Sequence, residues 1–291
     1  MTRQLIESTL RVSTPLIFAA LGGMFSERSG VINIALEGLM LIGAFAAAVI
    51  TYISHSPWLG TAGGMGAAVL MAGLYALFVI GLRANQIVAG TAINMLALGL
   101  TPFLCKVLYD VTGQTPAIPL GERFQSAPLY MSWVMVGLCW FWLKYTRGGL
   151  WVSFAGEHPE ALDAAGIRVN RVRWAAVLMS GALAGLGGLV FVVPTSTNFN
   201  ATVAGYGFLA LAVLIFGQWK PVRILWSALF FGLMKTIAAA YSGIPGLQNL
   251  PISSDVYKMI PYIATLIVLA FTSAKSQAPR ASGVPYDKST R

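Results

Sequence analysis

Three acidic side chains lie close together in the one long polar stretch of an otherwise apolar sequence: Glu157, Glu160 and Asp163. The stretch covers residues 148–173, and it is framed by basic side chains, namely Lys144, Arg147, Arg168, Arg171 and Arg173. We interpret it as a charged surface on the cytosolic face that a separate subunit grips. The alternative is an ordinary loop that re-enters the membrane without a partner.

A short helix is expected inside this stretch. Pro159 suits the first turn of a helix and Gly166 suits the position just past its end. Glu160 falls in that first turn, where a negative charge meets the positive end of the helix dipole. The predicted element, residues 159–165, has about two turns and is roughly 10 Å long. Because so short a helix is unstable alone, it must rest on the neighbouring helices or on a partner.

Two further charges lie inside apolar runs. Glu37 follows Glu27 and Arg28 by about ten residues, which in a helix is about 15 Å, and Lys235 lies roughly 18 Å beyond Arg223. A charge at that depth must face a cavity, a partner or water. One hypothesis is that both line a polar path. The other is that Glu37 is a structural hydrogen-bonding residue and that Lys235 extends outward to the membrane surface; for Lys235 we favour this second interpretation.

The remaining candidate path residues are uncharged. Asn33 lies in the same apolar run as Glu37, residues 31–53, while Thr91 and Asn94 are three residues apart and so share a helix face. Because Gly99 and Pro102 are expected to interrupt this fourth run, its polar groups could face a cavity. The alternative is hydrogen bonding between neighbouring helices. The candidate translocation path is therefore Asn33, Glu37, Thr91 and Asn94.

No catalytic or metal site is predicted. The histidines His55 and His158 lie in loops far apart and lack a pattern of Cys or carboxylate ligands. The sequence contains no phosphate-binding GxxxxGK[ST] motif. Cys105 and Cys139 lie within or beside apolar runs and are interpreted as small core residues.

Composition decides the class of protein. The 291 residues are 57% hydrophobic and only 10% charged, against about 25% charged residues in globular domains. Apolar runs long enough to cross a ~30 Å hydrocarbon core recur along the chain. They are continuous rather than alternating, which argues against a β-barrel. We expect an all-α, polytopic integral membrane bundle of about eight to ten spans in contact with lipid.

We attribute the net charge of +9 to Lys and Arg in the loops on the cytosolic side of the membrane, as the positive-inside rule expects, rather than to a nucleic-acid-binding surface. With residues 148–173 inside, the basic tail is inside as well, and residues 110–128 and 194–204 are outside. The N-terminus then lies outside, and its first apolar run, residues 12–25, is short for a span. We expect one transmembrane domain, residues 1–274, with the polar stretch at about 146–173, a basic cytosolic tail at 275–291 and no cleaved signal peptide.

Five stretches resemble one family: 27–38 (ERSGVINIALEG), 85–104 (NQIVAGTAINMLALGLTPFL), 156–168 (GEHPEALDAAGIR), 180–188 and 207–221 (GFLALAVLIFGQWKP). The sequence is similar to the permease subunits of bacterial ABC importers for ribose, branched-chain amino acids and nucleosides. The first two stretches resemble the nucleoside-type members most. Lys235 departs from the family pattern, where an apolar or small residue is expected.

The resemblance implies partners. Two permease subunits, often different chains, pair in the inner membrane above two ATP-binding cassettes, and a periplasmic or lipid-anchored binding protein delivers the solute. ATP and magnesium belong to the cassette, so the permease itself is not an enzyme and carries no cofactor. Segment 156–167 matches the cytosolic coupling helix that inserts into a groove on the cassette. The residues expected to dock are Gly156, Glu157, His158, Pro159, Glu160, Ala161, Asp163, Ala164 and Gly166.

The implied mechanism is alternating access. Closure of the cassettes on ATP would push the short helix. The fifth and sixth apolar runs, about residues 130–143 and 174–193, flank that helix and would transmit the push, which would open a central path to the other side. The nearest alternative is a permease for a sugar or a branched-chain amino acid. A more distant one is an ion-coupled secondary transporter, although the sequence shows no clear internal repeat of the kind common in that class.

Overall fold

The computed structural model describes residues 2–194, 198–240 and 277–287, together with six isolated residues between 256 and 270. All regular structure within these residues is helical, in agreement with the all-α prediction. The helices are α1 (Thr2–Arg28), α2 (Leu36–Ser54), α3 (Pro57–Ala76), α4 (Gln86–Tyr109), α5 (Ala127–Tyr145), α6 (Arg147–Glu157), α7 (Pro159–Ala164), α8 (Val169–Val192), α9 (Tyr206–Phe216) and α10 (Pro221–Ala240). A π-helical turn, Leu77–Gly81, extends α3, and a 3-10 turn covers Leu120–Glu122.

Seven of the described helices are long and apolar enough to cross a membrane: α1, α2, α3 with its π-helical turn, α4, α5, α8 and α10. Helix α9 has 11 residues and is therefore about 16 Å long, about half of a ~30 Å hydrocarbon core. The predicted last run, residues 259–271, lies almost entirely outside the described residues. The total of about eight to ten spans therefore stays a prediction.

Helix α1 corrects the prediction of a short first run at residues 12–25. The helix starts about three turns earlier, so its polar beginning is part of a span of full length. In these early turns Glu7 and Arg11 line a cleft of about 160 Å³ together with Gln125 and Pro194. The start of α1 thus lies on the side of the bundle that was predicted to face outside, as the alternation of spans required.

The centre of the bundle is built by α8 packing against α1, α2 and α3. Gly181 and Gly185 allow this close approach. A Cβ atom at Gly181 would lie 2.5 Å from the Cβ of Ala72, and one at Gly185 would lie 2.7 Å from the Cβ of Ala68. The two glycines form a small-xxx-small pair, which allows the tight helix crossings that are common in membranes.

Two predictions of helix continuity are wrong. Helix α4 runs without interruption through Gly99 and Pro102, since transmembrane helices tolerate proline where neighbouring groups compensate for the lost hydrogen bond. The second apolar run, in contrast, is not one helix. Residues 29–35 are not helical, and α2 begins only at Leu36. We call residues 29–35 the α1–α2 junction.

Candidate functional site

The predicted short helix is present as α7. Pro159 occupies its first position, and it ends at Ala164, one residue earlier than expected. Gly166, with φ +81°, terminates it. The N–H of Gly166 donates to the carbonyl of Asp163, and the N–H of Ile167 donates to that of Leu162. This pair of bonds is a Schellman motif, which satisfies the last carbonyl groups of the helix.

Helix α7 rests on its neighbours through one side chain. Leu162 is buried against Ala155 of α6 and Val169 of α8, and Ile167 and Tyr286 pack against the same cluster. Burying a leucine side chain contributes about 1.5–3 kcal/mol, which offsets much of the instability of so short a helix. The expectation that α7 rests on the helical bundle is confirmed. We call α6, α7 and the start of α8 the platform.

The opposite face of α7 is exposed, and most of the predicted docking residues lie on it or beside it. The exposed residues among them are Glu157, His158, Glu160, Ala161, Ala164 and Gly166. Pro159 and Asp163 are half-buried, and Asp163 has an interaction within the protein. Gly156 is a correction to the predicted set. It is buried, and a Cβ atom there would lie 2.3 Å from the carbonyl oxygen of Arg28.

Helix α6 was not predicted. The polar stretch had been interpreted as a loop containing one short helix, whereas residues before α7 form a helix of 11 residues. The signal for its start is Thr146, whose Oγ1 accepts a hydrogen bond of 3.2 Å from the N–H of Gly149. Such an N-cap is readable from sequence, but the Gly148–Gly149 pair that follows it argues against a helix.

The α1–α2 junction is stabilised by side chains from distant parts of the chain. The N–H of Ile32 donates to Oε1 of Gln86 at 2.8 Å, and Nδ2 of Asn94 donates to the carbonyl of Ile34 at 2.9 Å. Oδ1 of Asn94 accepts from the N–H of Gly38, in the first turn of α2. Irregular backbone inside a membrane protein is tolerated only where its polar groups are satisfied in this way.

Glu37 lies in the first turn of α2, and its side chain caps the N-terminus of a different helix, α9. Oε1 accepts from the N–H of Gly205 at 3.0 Å, and Oε2 accepts from the N–H groups of Gly207 at 2.7 Å and Phe208 at 3.3 Å. Gly207 is needed for this approach, since a Cβ atom there would lie 2.4 Å from the Cα of Glu37. A carboxylate suits this position because unpaired N–H groups and the helix dipole both favour negative charge.

The depth of Glu37 in the membrane stays a prediction, and the reasoning behind it does not hold. The expected 15 Å assumed one helix from Glu27 to Glu37, and the junction breaks that helix. Instead, α9 descends about 16 Å from Glu37 to the turn at Trp219, whose Nε1 donates to Oε2 of Glu27 at 2.6 Å. No sequence pattern predicts this Glu27–Trp219 hydrogen bond, because the two residues are 192 positions apart.

Lys235 lies beside this cap. Its Nζ is 3.4 Å from the ring centroid of Tyr206, the first residue of α9, and its charge interacts with that of Glu37. The prediction that Glu37 and Lys235 lie at similar depth is confirmed. The favoured interpretation of Lys235, that it extends to the membrane surface, is wrong, because its ammonium group has a cation–π partner inside the protein.

The four candidate path residues do not surround one cavity. Asn33 is fully buried and donates to Oγ of Ser180 at 2.8 Å. Asn94 and Glu37 are buried in the contacts just described. Thr91 is exposed and donates only to the carbonyl of Ile87 in its own helix. Thr91 and Asn94 therefore lie in different environments: Asn94 follows the alternative of hydrogen bonding to a neighbouring segment, and the translocation path stays a prediction.

The fold and the platform define a class: a polytopic membrane protein with a short helix exposed on one face. Residues 5–269 match the family described as "Branched-chain amino acid transport system / permease component". The chain belongs to this family. It is a multi-pass transport subunit of the inner (plasma) membrane.

Named relatives cover nearly the whole chain. The sequence is 40% identical to the nucleoside ABC transporter permease protein NupC of Lactococcus lactis subsp. cremoris, over 99% of this chain and 98% of NupC. It is also 40% identical to the guanosine ABC transporter permease protein NupQ of Bacillus subtilis, over 99% of this chain and 97% of NupQ. A second nucleoside ABC transporter permease protein of the same Lactococcus, NupB, is 25% identical over 95% of this chain and 84% of NupB.

Proposed function

We propose that this chain is the permease subunit of an ATP-driven importer that moves a nucleoside across the cell membrane. The observation that carries the substrate class is the 40% identity, over 99% of the chain, to permeases named for nucleoside and guanosine transport. The family match over residues 5–269 supports the permease role but does not distinguish nucleosides from sugars or branched-chain amino acids.

Helix α7 is the element that docks the ATP-binding cassette. Two features support this role. Its exposed face carries Glu160, and the exposed Glu157 lies beside it at the end of α6. Its buried face is anchored by Leu162, so that a displacement of α7 is passed to α6 and α8. The cassette, not this chain, binds ATP and magnesium. The permease contributes two helix packings of similar energy, and the cassette biases the equilibrium between them.

A second permease subunit completes the transporter. Helices α4 and α5 are the least covered of the described spans, with only 33% and 22% of their apolar windows buried inside the chain. These faces suit lipid and a partner permease. The match of this chain to both NupC and NupB of one organism supports a partner that is a related but different chain. A periplasmic or lipid-anchored binding protein delivers the solute on the outer side.

The element that rearranges during transport is the α1–α2 junction together with the start of α9, and polar residues inside the bundle hold it. Asn33, Glu37 and Asn94 hold the α1–α2 junction and the start of α9 together. Alternating access requires an element that has two arrangements of similar energy. Irregular backbone held by a small number of side-chain hydrogen bonds suits this requirement better than the continuous helices around it.

Reconstituted uptake tests the proposal. The chain is co-expressed with its cassette, second permease and binding protein, and uptake of labelled guanosine is measured in proteoliposomes with ATP inside. We expect uptake to require ATP and to be competed by nucleosides but not by glucose or leucine. Competition by glucose or leucine would assign a different substrate class. Uptake without ATP that is abolished by an ionophore would identify an ion-coupled transporter instead.

A further inference from the structure

Arg173, at the start of α8, is buried with only 2% of its surface exposed. It had been placed in the basic frame of a docking surface, and its burial corrects that assignment. Its guanidinium group donates to three carbonyl groups: Nε to Ser29 at 3.0 Å, Nη2 to Ala155 at 3.3 Å and Nη1 to Val284 at 2.8 Å. A buried charge is tolerated when hydrogen bonds of this kind satisfy it.

The three acceptors belong to three separate segments. Ser29 is in the α1–α2 junction, Ala155 is in the platform, and Val284 is in the C-terminal tail. Only arginine presents several donors in a fixed planar fork, whereas lysine has one ammonium group. Gly30, next to Ser29, makes room for the fork, because a Cβ atom at Gly30 would lie 2.8 Å from Nη2 of Arg173.

Residues 281–287 of the tail, which we call the clasp, repeat the same connections. The N–H of Ala281 donates to the carbonyl of Gly156 at 2.8 Å, and the N–H of Gly283 donates to that of Gly30 at 3.1 Å. Tyr286 packs against the cluster around Leu162 that anchors α7. The clasp therefore bonds to the platform and to the junction along its length.

The end of the clasp reaches a third place. Asp287 forms an ion pair with Arg83, which lies in the loop between α3 and α4. Helix α4 supplies Gln86 and Asn94, the side chains that hold the junction. The clasp thus contacts the platform, the α1–α2 junction and the loop before α4, the helix that stabilises the junction.

We propose that Arg173 and the clasp transmit the movement of α7 to the α1–α2 junction, and that Arg173 is a positioning residue for transport. The junction leads directly into Glu37, whose carboxylate holds the start of α9. A displacement of the platform therefore reaches the interior of the membrane by this route, in addition to the route through α5 and α8 that the sequence suggested. The inference rests on the proposed function, in which a cassette moves α7.

The test is the number of solute molecules transported per ATP hydrolysed by the complete reconstituted transporter. Arg173→Lys retains the charge but loses the fork, and we expect the ratio to fall about tenfold, within the range typical of coupling between two sites. Arg11→Lys, at an exposed arginine of α1 on the side of the bundle away from the platform, is the matched control and leaves the ratio unchanged. Copurification of the cassette is expected to be the same in all variants.

Two further variants keep the proposal testable if Arg173→Lys does not fold. Removal of residues 281–291 leaves every span intact and lowers the ratio as well. Asp287→Asn breaks a partly exposed ion pair, and we expect a fall of at most about fivefold, since such pairs contribute about 0–1 kcal/mol. In the double variant with Arg173→Lys and Asp287→Asn, the loss of coupling free energy is smaller than the sum of the two single losses, because the two side chains belong to one network.

Several results would overturn the proposal. An unchanged ratio in Arg173→Lys or in the truncated chain would show that the clasp transmits nothing. Loss of cassette copurification in these variants would show that it only shapes the docking surface. The proposed function fails in a different way, visible in the unmodified chain as absence of a bound cassette or as uptake without ATP.

Discussion

Replacement of Glu37 by glutamine tests the contact between α2 and α9 with little change in shape. The carboxylate accepts hydrogen bonds from the N–H groups of Gly205, Gly207 and Phe208. Glutamine offers one oxygen and one NH2 donor. If its oxygen faces Gly207 and Phe208, its NH2 group faces the N–H of Gly205, and two donors meet where a bond of 3.0 Å existed.

The size of the effect follows from these contacts. A buried donor left without a partner costs about 1–3 kcal/mol. Removal of a negative charge from a partly buried helix N-terminus costs up to about 2 kcal/mol. Together these give a destabilisation of about 2–4 kcal/mol, which for a protein of this size lowers the Tm by roughly 5–15 °C.

Thermal unfolding of the purified protein in detergent measures the first effect, and uptake by the complete transporter measures the second. Glu157→Gln, which removes the charge of an exposed carboxylate, is the control and leaves the Tm unchanged. We expect Glu37→Gln to lower both the Tm and uptake, because the start of α9 is loosened. A Tm equal to that of the control would refute the capping role, and unaltered uptake would show that the charge has no part in transport.

Three other substitutions probe the remaining contacts. Glu160→Arg reverses an exposed charge on α7, and we expect cassette copurification and uptake to fall at an unchanged Tm; normal transport with normal copurification would exclude α7 as the docking element. Leu162→Ala removes the anchor of α7, so hydrogen exchange of the amides of residues 159–167 accelerates while exchange in α8 stays slow; equal protection in both proteins would contradict the anchoring role. Gly207→Ala places a Cβ atom 2.4 Å from the Cα of Glu37. Because small-to-large substitutions in a packed interior cost about 1–3 kcal/mol, we expect the yield of folded protein to fall severalfold. Gly137→Ala, which has open space around it, is the control and leaves the yield unchanged.

Local signals account for what the sequence predicted well. Helix α7 starts at a proline and ends at a glycine, and both positions act through the backbone of their own segment. The apolar runs are also a property of their own segments. These features depend on residue type and spacing alone, so reading them needs no knowledge of which helices are neighbours.

The α1–α2 junction shows why the rest was not predictable. Its residues 31–35 continue the apolar run of the helix that follows, so hydropathy alone places them in one span. The break is stable because Gln86 and Asn94, more than fifty positions away, supply the missing hydrogen bonds. Lys235 was not predictable for the same reason, because its partner Tyr206 belongs to another helix. The clasp bonds mostly through its backbone, so its residue types do not indicate these contacts.

The two irregular places in the bundle, the α1–α2 junction and the start of α9, are joined through Glu37. In a membrane, helices keep their own hydrogen bonds and change shape at high cost, so a movement must be taken up where the backbone is held by side chains instead. Asn94 holds the junction side and Glu37 holds the α9 side. Because the clasp bonds to the platform at Gly156 and to the junction at Gly30, the contacts of the described residues connect the platform to an irregular part of the interior, where a rearrangement of the backbone would break no long helix.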